Sequence, residues 1–354
     1  MKYSKLADSD LIVSKLGLGT MTFGEQVTEI DSFNIMNSAL NCGINFFDTA
    51  EMYPIPQSQE KFGLSEKIIG NWFNRNKSIR HKIILSTKIS GPSKSLYWIR
   101  QGKYIKSEDF EIACNDSLSR LQTDYIDLYQ IHWPVRHVQM FGQIYFDRSQ
   151  DENNLISIFS QLEALDKLIK SGKIRYIGLS NETPFGLHEF INIAKQFGFS
   201  NIVSIQNSYS LLNRSIENAL DESLFRFNIP LIAYSPLAYG LLTGKYDSFD
   251  LTNPISFSDY RIFKFDYIRR QRWGNELSIR VAKIYNSFAR EIGLSPSNFA
   301  LAFCLNRPQV ASTLLGLTSV GQLNENIKAL DINLDSKSLE FINDIRFIYR
   351  DLVQ

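Results

Sequence analysis

Four polar side chains fall at the ends of successive apolar stretches of the sequence. Residues 44–47 are typical of a buried strand that stops at Asp48, and Tyr53 follows on the next loop. Lys88 ends the next apolar run, and His132 ends the one after it. If these runs are neighbouring parallel strands, all four side chains open on one mouth of the sheet. A carboxylate, a phenol, an ammonium and an imidazole gathered there would be suited to proton transfer.

Each of the four also has an ordinary explanation when it is considered alone. Asp48 would be a cap or turn residue, and Lys88 a surface charge. His132 would be a buried histidine with satisfied partners, and Tyr53 a packing residue. Because the four stand at successive strand ends, coincidence is the weaker account.

The elements that must position these residues alternate along all 354 residues. We predict eight strands, at residues 16–19, 44–47, 82–88, 126–132, 174–179, 202–206, 230–234 and 311–315. Eight helices alternate with them, at residues 31–43, 60–74, 107–121, 157–170, 184–196, 216–227, 276–291 and from about 318. This alternation predicts an α/β fold, a parallel sheet closed into a single (β/α)8 TIM barrel.

Further features complete the predicted architecture. Residues 2–14 are expected to form an N-terminal hairpin, and a tail helix is expected from Asp335. Long loops follow strands three, four and seven, at residues 89–106, 133–154 and 239–275, where barrel active sites form. No Gly/Pro/Ser linker splits the chain, so residues 1–354 are predicted to be one domain.

An open doubly wound sheet is the main alternative. Gly17-Leu18-Gly19 lacks the third glycine of a dinucleotide fingerprint. Residues 240–246 superficially match a phosphate loop, but Tyr246 stands where Ser or Thr would hold the metal. Both observations favour the closed barrel.

Charge and cysteine usage exclude several classes of protein. Lys+Arg 38 against Asp+Glu 37 gives a net charge of +1, which predicts no nucleic-acid partner. Basic and aromatic residues alternate over residues 261–273, and we interpret that segment as a cofactor-side lid. Cys42, Cys114 and Cys304 are far apart and predict reduced thiols and no metal site. No apolar run approaches the ~18 residues of a membrane span, so we expect a cytoplasmic protein.

The sequence resembles the aldo-keto reductase superfamily over essentially its whole length. The N-terminal motifs are Gly17-Leu18-Gly19-Thr20-Met21, Phe47-Asp48-Thr49-Ala50-Glu51-Met52-Tyr53 and Ser86-Thr87-Lys88. The later motifs lie at residues 124–133, 172–181, 234–237 and 322–326. Within the family, residues 51–54, 208–214 and 241–246 look most like the bacterial Tas-type members.

The resemblance implies that Asp48, Tyr53, Lys88 and His132 form a catalytic tetrad. A phenol with a pKa near ~10 is a poor acid at neutral pH, and we expect Lys88 to bring the Tyr53 pKa closer to the working range. Asp48 would keep Lys88 charged and in place. Tyr53 would act as general acid/base on the substrate oxygen, which neutral His132 would orient or polarise.

A hydride must come from a cofactor, because no side chain can deliver one. The resemblance implies NADP(H), with NAD(H) left open. Ser180, Asn181 and Gln206 would bind the carboxamide, and Tyr234 would stack on the nicotinamide or else be a core aromatic. The complete set of implied cofactor residues is Thr20, Met21, Asp48, Ser180, Asn181, Gln206, Tyr234, Ser235, Pro236, Leu237, Ala238, Tyr239, Gly240, Leu241, Leu242, Thr243, Gly244, Gly316, Thr318, Ser319, Gln322 and Asn326.

The adenosine end of the implied cofactor site has no Arg or Lys just after strand eight, where many relatives grip the 2′-phosphate. The chain has Gly316-Leu317-Thr318-Ser319 and then Gln322. Hydroxyls and free amides at a helix N-terminus can hold a phosphate, and on this basis we favour NADP(H).

Aromatic side chains on the long loops predict an apolar substrate pocket, although several of them could merely pack the loops together. The candidates are Phe23, Tyr97, Trp98, Trp133 and Phe141, with Tyr145 and Phe146 nearby. The predicted activity is hydride transfer between a nicotinamide and a small carbonyl or alcohol substrate. One alternative is a redox-sensing regulatory subunit that binds the cofactor with little turnover. Another is a Schiff-base aldolase with Lys88 as nucleophile.

Overall fold

A computed structural model describes residues 1–102, 104–143, 145–150, 152, 154–248, 262, 273–350 and 352. Ten strands are present in this part of the chain. They are β1 (Tyr3–Lys5), β2 (Ile12–Ser14), β3 (Leu16–Gly19), β4 (Phe46–Asp48), β5 (Ile84–Ile89), β6 (Ile126–Ile131), β7 (Ile174–Ser180), β8 (Ile202–Ser208), β9 (Leu231–Tyr234) and β10 (Val310–Gly316). Strands β3 to β10 pair in parallel in chain order, and β10 returns to β3 and closes the sheet. The predicted eight-stranded barrel is confirmed.

Ten α-helices surround the barrel in the described residues. They are α1 (Glu29–Asn41), α2 (Leu64–Arg75), α3 (Ser107–Leu121), α4 (Ile158–Lys170), α5 (Pro184–Phe197), α6 (Leu220–Phe227), α7 (Glu276–Glu291), α8 (Pro296–Leu305), α9 (Val320–Asn326) and α10 (Ser336–Ile348). Several begin at a Ser, Thr, Asn or Asp whose side chain accepts a hydrogen bond from a first-turn amide, as Thr28 does from Asp31. The main core lies between these helices and the strands.

Helix α8 was absent from the sequence prediction, which passed directly from residues 276–291 to the last strand. Eight of its ten residues are buried, so it carries no polar stripe that periodicity could reveal. The signal that could have found it is local, because the Ser295 side chain caps the helix and Pro296 follows at its first position. Within the described residues, two α-helices therefore lie between β9 and β10, and α8 packs against β10.

Two helices also begin later in the sequence than predicted. Helix α2 begins at Leu64 and not at residue 60, because Gly63 before it has a left-handed backbone with φ of 74°. Helix α6 begins at Leu220, and a 3-10 turn over Ser215–Asn218 occupies the start that had been assigned to it. The barrel strands are otherwise within a few residues of the prediction.

The β1–β2 hairpin closes the N-terminal end of the barrel. Its Leu6, Leu11 and Val13 are buried against the barrel-interior side chains Phe46, Leu128, Val203, Ile232 and Leu314. Arg175 at the start of β7 bonds both Asp10 of the hairpin and Asp127, each at 2.6 Å. This end is plugged, so a small molecule can approach the barrel interior only from the C-terminal mouth.

The tail helix α10 covers the outside of α7. Phe341 of α10 stacks on Phe288 of α7, with ring centroids 3.8 Å apart. Of the predicted lid over residues 261–273, only 262 and 273 lie inside the described residues. Across the described ranges, no helix is long and apolar enough to cross a membrane. The same ranges contain no group of three or more His, Cys, Asp or Glu side chains arranged to hold a metal ion.

Candidate active site

Three of the four proposed catalytic residues stand on neighbouring strands. Asp48 is the last residue of β4, Lys88 lies near the end of β5, and His132 directly follows β6. The Lys88 ammonium donates to Asp48 Oδ2 at 2.5 Å and to the Thr49 carbonyl at 2.7 Å. The Lys88 side chain is fully buried, so this ion pair is shielded from solvent.

Asp48 also accepts hydrogen bonds from two side-chain amides inside the barrel. Gln206 donates to Asp48 Oδ1 at 2.9 Å, and Gln130 donates to the same oxygen at 3.2 Å. Gln130 was not predicted as a site residue. The signal was available in the alternation of β6, because residues 130 and 132 point to the same face of a strand.

Tyr53 lies beside both Lys88 and His132. The Lys88 nitrogen is 5.1 Å from the centre of the Tyr53 ring. The His132 ring meets the Tyr53 ring edge to face, with centroids 5.5 Å apart. The structure thus brings all four residues together at the open mouth of the barrel.

The expected lowering of the Tyr53 pKa is wrong for this structure. Burial of the phenol raises its pKa well above 10, and the Asp48 carboxylate adds to the rise. The effect of burial outweighs the lowering of the pKa that was expected from the Lys88 charge. Tyr53 is therefore a protonated phenol at neutral pH.

Burial also governs the other two titrating groups. Loss of solvent lowers the pKa of the Lys88 ammonium, and the Asp48 charge opposes that change. The same loss of solvent, with the nearby Lys88 charge, lowers the pKa of His132 well below 6.5. His132 is consequently neutral at physiological pH, as expected. Its Nδ1 is buried and has no hydrogen-bond partner among the described residues.

A group of residues implied for the nicotinamide lies beside the tetrad at the ends of β7, β8 and β9. We call this group the ledge, and it consists of Ser180, Asn181, Gln206 and Tyr234. Ser180 Oγ donates to the Gln206 carbonyl at 2.9 Å. Asn181 Nδ2 donates to the His132 carbonyl at 2.9 Å, and the Tyr234 hydroxyl donates to Asn181 Oδ1 at 2.6 Å. The ledge is thus joined to the tetrad by hydrogen bonds. The cofactor contacts of these residues stay a prediction.

The other implied cofactor residues are more widely spread. Thr20 is fully buried and bonds the Asp48 carbonyl at 3.0 Å, while Met21 packs near Tyr53. In the segment 235–244, the side chains of Pro236, Ala238, Leu241 and Leu242 are buried, and Ser235, Leu237, Tyr239, Gly240, Thr243 and Gly244 are partly exposed. A 3-10 turn over Ala238–Thr243 shapes this segment.

The backbone amides at the start of α9, which the sequence suggested could bind a phosphate, already donate hydrogen bonds within the fold. The Thr318 amide donates to Gln322 Oε1 at 2.9 Å, and the Gln322 amide donates to Ser319 Oγ at 3.3 Å. Gly316, Thr318, Ser319 and Gln322 are exposed, whereas Asn326 is buried. Two of the groups expected to hold a phosphate therefore already have partners in the fold.

Most of the predicted pocket aromatics gather around Tyr53. Trp133, Trp98 and Phe141 belong to one cluster with Tyr53, Leu96 and Ile99. Tyr97 is 61% exposed at the outer rim, where it packs edge to face on Trp98. Tyr145 and Phe146 are also exposed.

Phe23 does not join the other pocket aromatics. Its side chain is fully buried in the main core, with the barrel strands and surrounding helices. The alternative explanation of ordinary packing therefore fits Phe23 better than a place in the substrate pocket.

Comparison with known proteins agrees with the geometry. A family model described as the Aldo/keto reductase family matches residues 15–346. The chain belongs to the aldo/keto reductase family. It is 41% identical over 350 residues to Protein tas of Escherichia coli (strain K12), with 99% of each chain covered. It is 34% identical over 358 residues to the uncharacterized oxidoreductase YrpG of Bacillus subtilis (strain 168), covering 98% of this chain and 96% of that protein.

A third relative is an aldo-keto reductase of Babesia bovis, 38% identical over 289 residues, with 77% of this chain and 99% of that protein covered. The predicted likeness to Tas-type proteins is confirmed. The chain is an oxidoreductase of a family that generally uses nicotinamide cofactors and acts on small carbonyl compounds.

Proposed function

We propose that the protein reduces a small aldehyde or ketone with NADP(H), and that Tyr53 donates the proton to the carbonyl oxygen. The observation that carries the proposal is the convergence of Tyr53 with Lys88 and His132, at 5.1 Å and 5.5 Å between the groups named above. The proposal treats residues 1–354 as a single aldo-keto reductase domain.

The raised pKa of Tyr53 keeps its proton in place but makes the phenol a weaker acid, so the transfer needs a positive charge close to the phenolate that forms. A proton donor must be protonated when the substrate arrives, and burial keeps the phenol in that form. Neutral His132 stands against Tyr53 and would orient the same carbonyl oxygen. The Lys88 ammonium, which Asp48 holds in place, would stabilise the phenolate that forms when Tyr53 gives up its proton.

The ledge fits a nicotinamide ring and its carboxamide. Ser180, Asn181 and Gln206 provide hydroxyl and amide groups at adjacent strand ends, and Tyr234 provides a partly buried ring beside them. A reduced nicotinamide bound there would supply the hydride. The hydrogen bonds among these side chains would orient them before the cofactor arrives.

The preference for NADP(H) over NAD(H) depends on the phosphate end of the site. The exposed Thr318 and Ser319 hydroxyls each accept a hydrogen bond from Gln322, at 3.0 Å and 3.3 Å, and would have only their O–H groups to donate to a 2′-phosphate. Dissociation constants for NADPH and NADH measured by fluorescence titration would test the preference. Equal affinities would refute it.

An aldolase reaction through Lys88 is poorly supported. Its ammonium donates to the Asp48 carboxylate and the Thr49 carbonyl, whereas a Schiff base requires a free neutral amine. Borohydride trapping with an aldehyde substrate and no cofactor would detect such chemistry directly.

The decisive test is the Tyr53→Phe variant. Removing only the hydroxyl should lower kcat for aldehyde reduction by several orders of magnitude, while the NADPH dissociation constant stays nearly unchanged. Steady-state rates on a panel of aldehydes and a fluorescence titration of NADPH give both quantities. Unimpaired turnover by the variant would contradict the assigned role. Tight NADPH binding by the wild type with no turnover on the panel would favour the regulatory subunit.

A further inference from the structure

A second buried ion pair lies next to the tetrad and has no role in the proton transfer described above. Glu51, two residues before Tyr53, is only 2% exposed. Arg100 donates to Glu51 Oε1 from Nη2 at 2.6 Å and to Oε2 from Nη1 at 3.1 Å. The Ser90 amide donates to the same carboxylate at 2.5 Å. Both carboxylate oxygens are therefore used, in the planar two-bond geometry that arginine forms and lysine cannot.

Arg100 belongs to the long segment between β5 and α3. Its guanidinium also donates to the Ser90 carbonyl at 2.7 Å, so it ties the segment to its own beginning as well as to Glu51. Arg100 and Gln101 have left-handed backbones, with φ of 48° and 56°. Side chains other than glycine adopt this conformation only when surrounding contacts hold it, and the ion pair is such a contact.

The same segment is held on its other side by Trp133, the residue after His132. Trp133 Nε1 donates to the Pro92 carbonyl at 3.2 Å. A Cβ on Gly91 would lie only 2.3 Å from the Trp133 ring, so the chain passes directly against the indole. Between these two anchors, Leu96 and Ile99 are buried against Tyr53 and Trp133.

We propose that Arg100 is a positioning residue that fixes the apolar wall of the substrate pocket, made of Leu96, Ile99 and Trp133, against Tyr53. The inference builds on the proposed carbonyl reduction. When the bidentate pair is lost, residues 90–102 keep the Trp133 contact and the exposed Tyr97–Gln59 hydrogen bond but lose their buried anchor, and the wall moves relative to the phenol. A substrate with a large apolar group would contact this wall, whereas a small aliphatic aldehyde would not extend far enough to contact it. Arg100 therefore sets the preference between the two.

The experiment compares Arg100→Gln and Arg100→Lys with a matched control at the other end of the barrel. Arg80 is a comparable arginine, with 13% of its side chain exposed against 17% for Arg100, and it bonds the buried Asp127 at 2.9 Å close to the plugged N-terminal end. Arg80→Gln therefore reports the general cost of losing a buried pair. Each variant is assayed with 4-nitrobenzaldehyde and with propanal, and its NADPH dissociation constant is measured. Hydrogen exchange of residues 90–102 is followed by mass spectrometry.

In Arg100→Gln we expect kcat/KM for 4-nitrobenzaldehyde to fall roughly ten- to a hundredfold more than that for propanal. We expect faster exchange in residues 90–102 and a nearly constant NADPH dissociation constant. Arg100→Lys should lie between wild type and Arg100→Gln, because it keeps the charge and loses the second bond. Arg80→Gln should change neither the substrate ratio nor exchange in this segment.

An unchanged substrate ratio or unchanged exchange in Arg100→Gln would overturn the inference, as would the same shift in Arg80→Gln. A wild type without turnover would instead remove the proposed function. The exchange of residues 90–102 would then decide the anchoring role by itself, with faster exchange in Arg100→Gln supporting it and equal exchange refuting it.

Discussion

Asp48→Asn tests whether the buried Asp48–Lys88 pair is coupled in the way its geometry indicates. The substitution keeps the shape of the side chain and removes its charge. Lys88 would then be a fully buried ammonium whose remaining acceptor is the Thr49 carbonyl at 2.7 Å. Gln206 and Gln130 could still donate to the new amide oxygen. The loss of stability would therefore come mainly from the missing interaction of Lys88 with a carboxylate.

Two routes give the expected magnitude. If Lys88 stays charged, removing its partner from a buried pair costs about 3–5 kcal/mol of unfolding free energy. If Lys88 instead gives up its proton, deprotonating an amine with a reference pKa of about 10.4 at neutral pH costs about 4–5 kcal/mol. Both routes predict a loss of about 4 kcal/mol. Both also predict severely impaired reduction, because Tyr53 loses the charged pair beside it.

The double variant Asp48→Asn/Lys88→Met removes both charges. It should be more stable than Asp48→Asn alone by about 1–3 kcal/mol, because no uncompensated charge stays buried. Urea unfolding of the wild type, Asp48→Asn, Lys88→Met and the double variant, followed by tryptophan fluorescence, gives the four free energies of the cycle. The exposed Glu163–Lys167 pair, at 3.3 Å, provides the control, where the same cycle should give a coupling below about 0.5 kcal/mol. Additive losses at Asp48 and Lys88 would refute the coupling.

Two further predictions concern stability. The pKa of His132 lies well below 6.5 in the fold, so the unfolded chain binds its proton first and stability should fall as pH drops below ~6.5. His132→Asn should flatten that part of a urea-unfolding series between pH 5 and 7. Gly178→Ala should cost about 1–3 kcal/mol in the same assay, because a Cβ would lie 2.9 Å from Ser204 Oγ and 3.0 Å from Gln130 Cγ. Gly321→Ala, where the nearest atom is 3.7 Å away, should cost far less.

The barrel and the position of the tetrad could be predicted because both depend on local patterns. Short apolar runs that stop at polar residues mark the strand ends, and the closure of the barrel then brings those ends to one mouth. Asp48, Lys88 and His132 each follow this pattern. Tyr53 followed from its short distance in sequence to Asp48.

Other features depend on contacts that the sequence order does not reveal. Helix α8 is buried on nearly all sides, which removes the periodicity that marks a surface helix. Arg100 meets Glu51 across 49 positions of the chain, through a long loop with two left-handed residues. No local pattern in the sequence indicates that these two charges pair.

The error in the Tyr53 pKa shows why the charge of one residue cannot be considered without its partner. An isolated ammonium 5.1 Å from the centre of the ring would stabilise the phenolate by about 3 kcal/mol at an effective dielectric constant of 20, or roughly two pKa units. The Asp48 carboxylate lies 2.5 Å from that ammonium, and its charge acts on the phenol in the opposite direction. Burial then dominates and raises the pKa. Burial and the Asp48 charge therefore keep Tyr53 protonated, which is the state that the proposed reduction requires when the substrate binds.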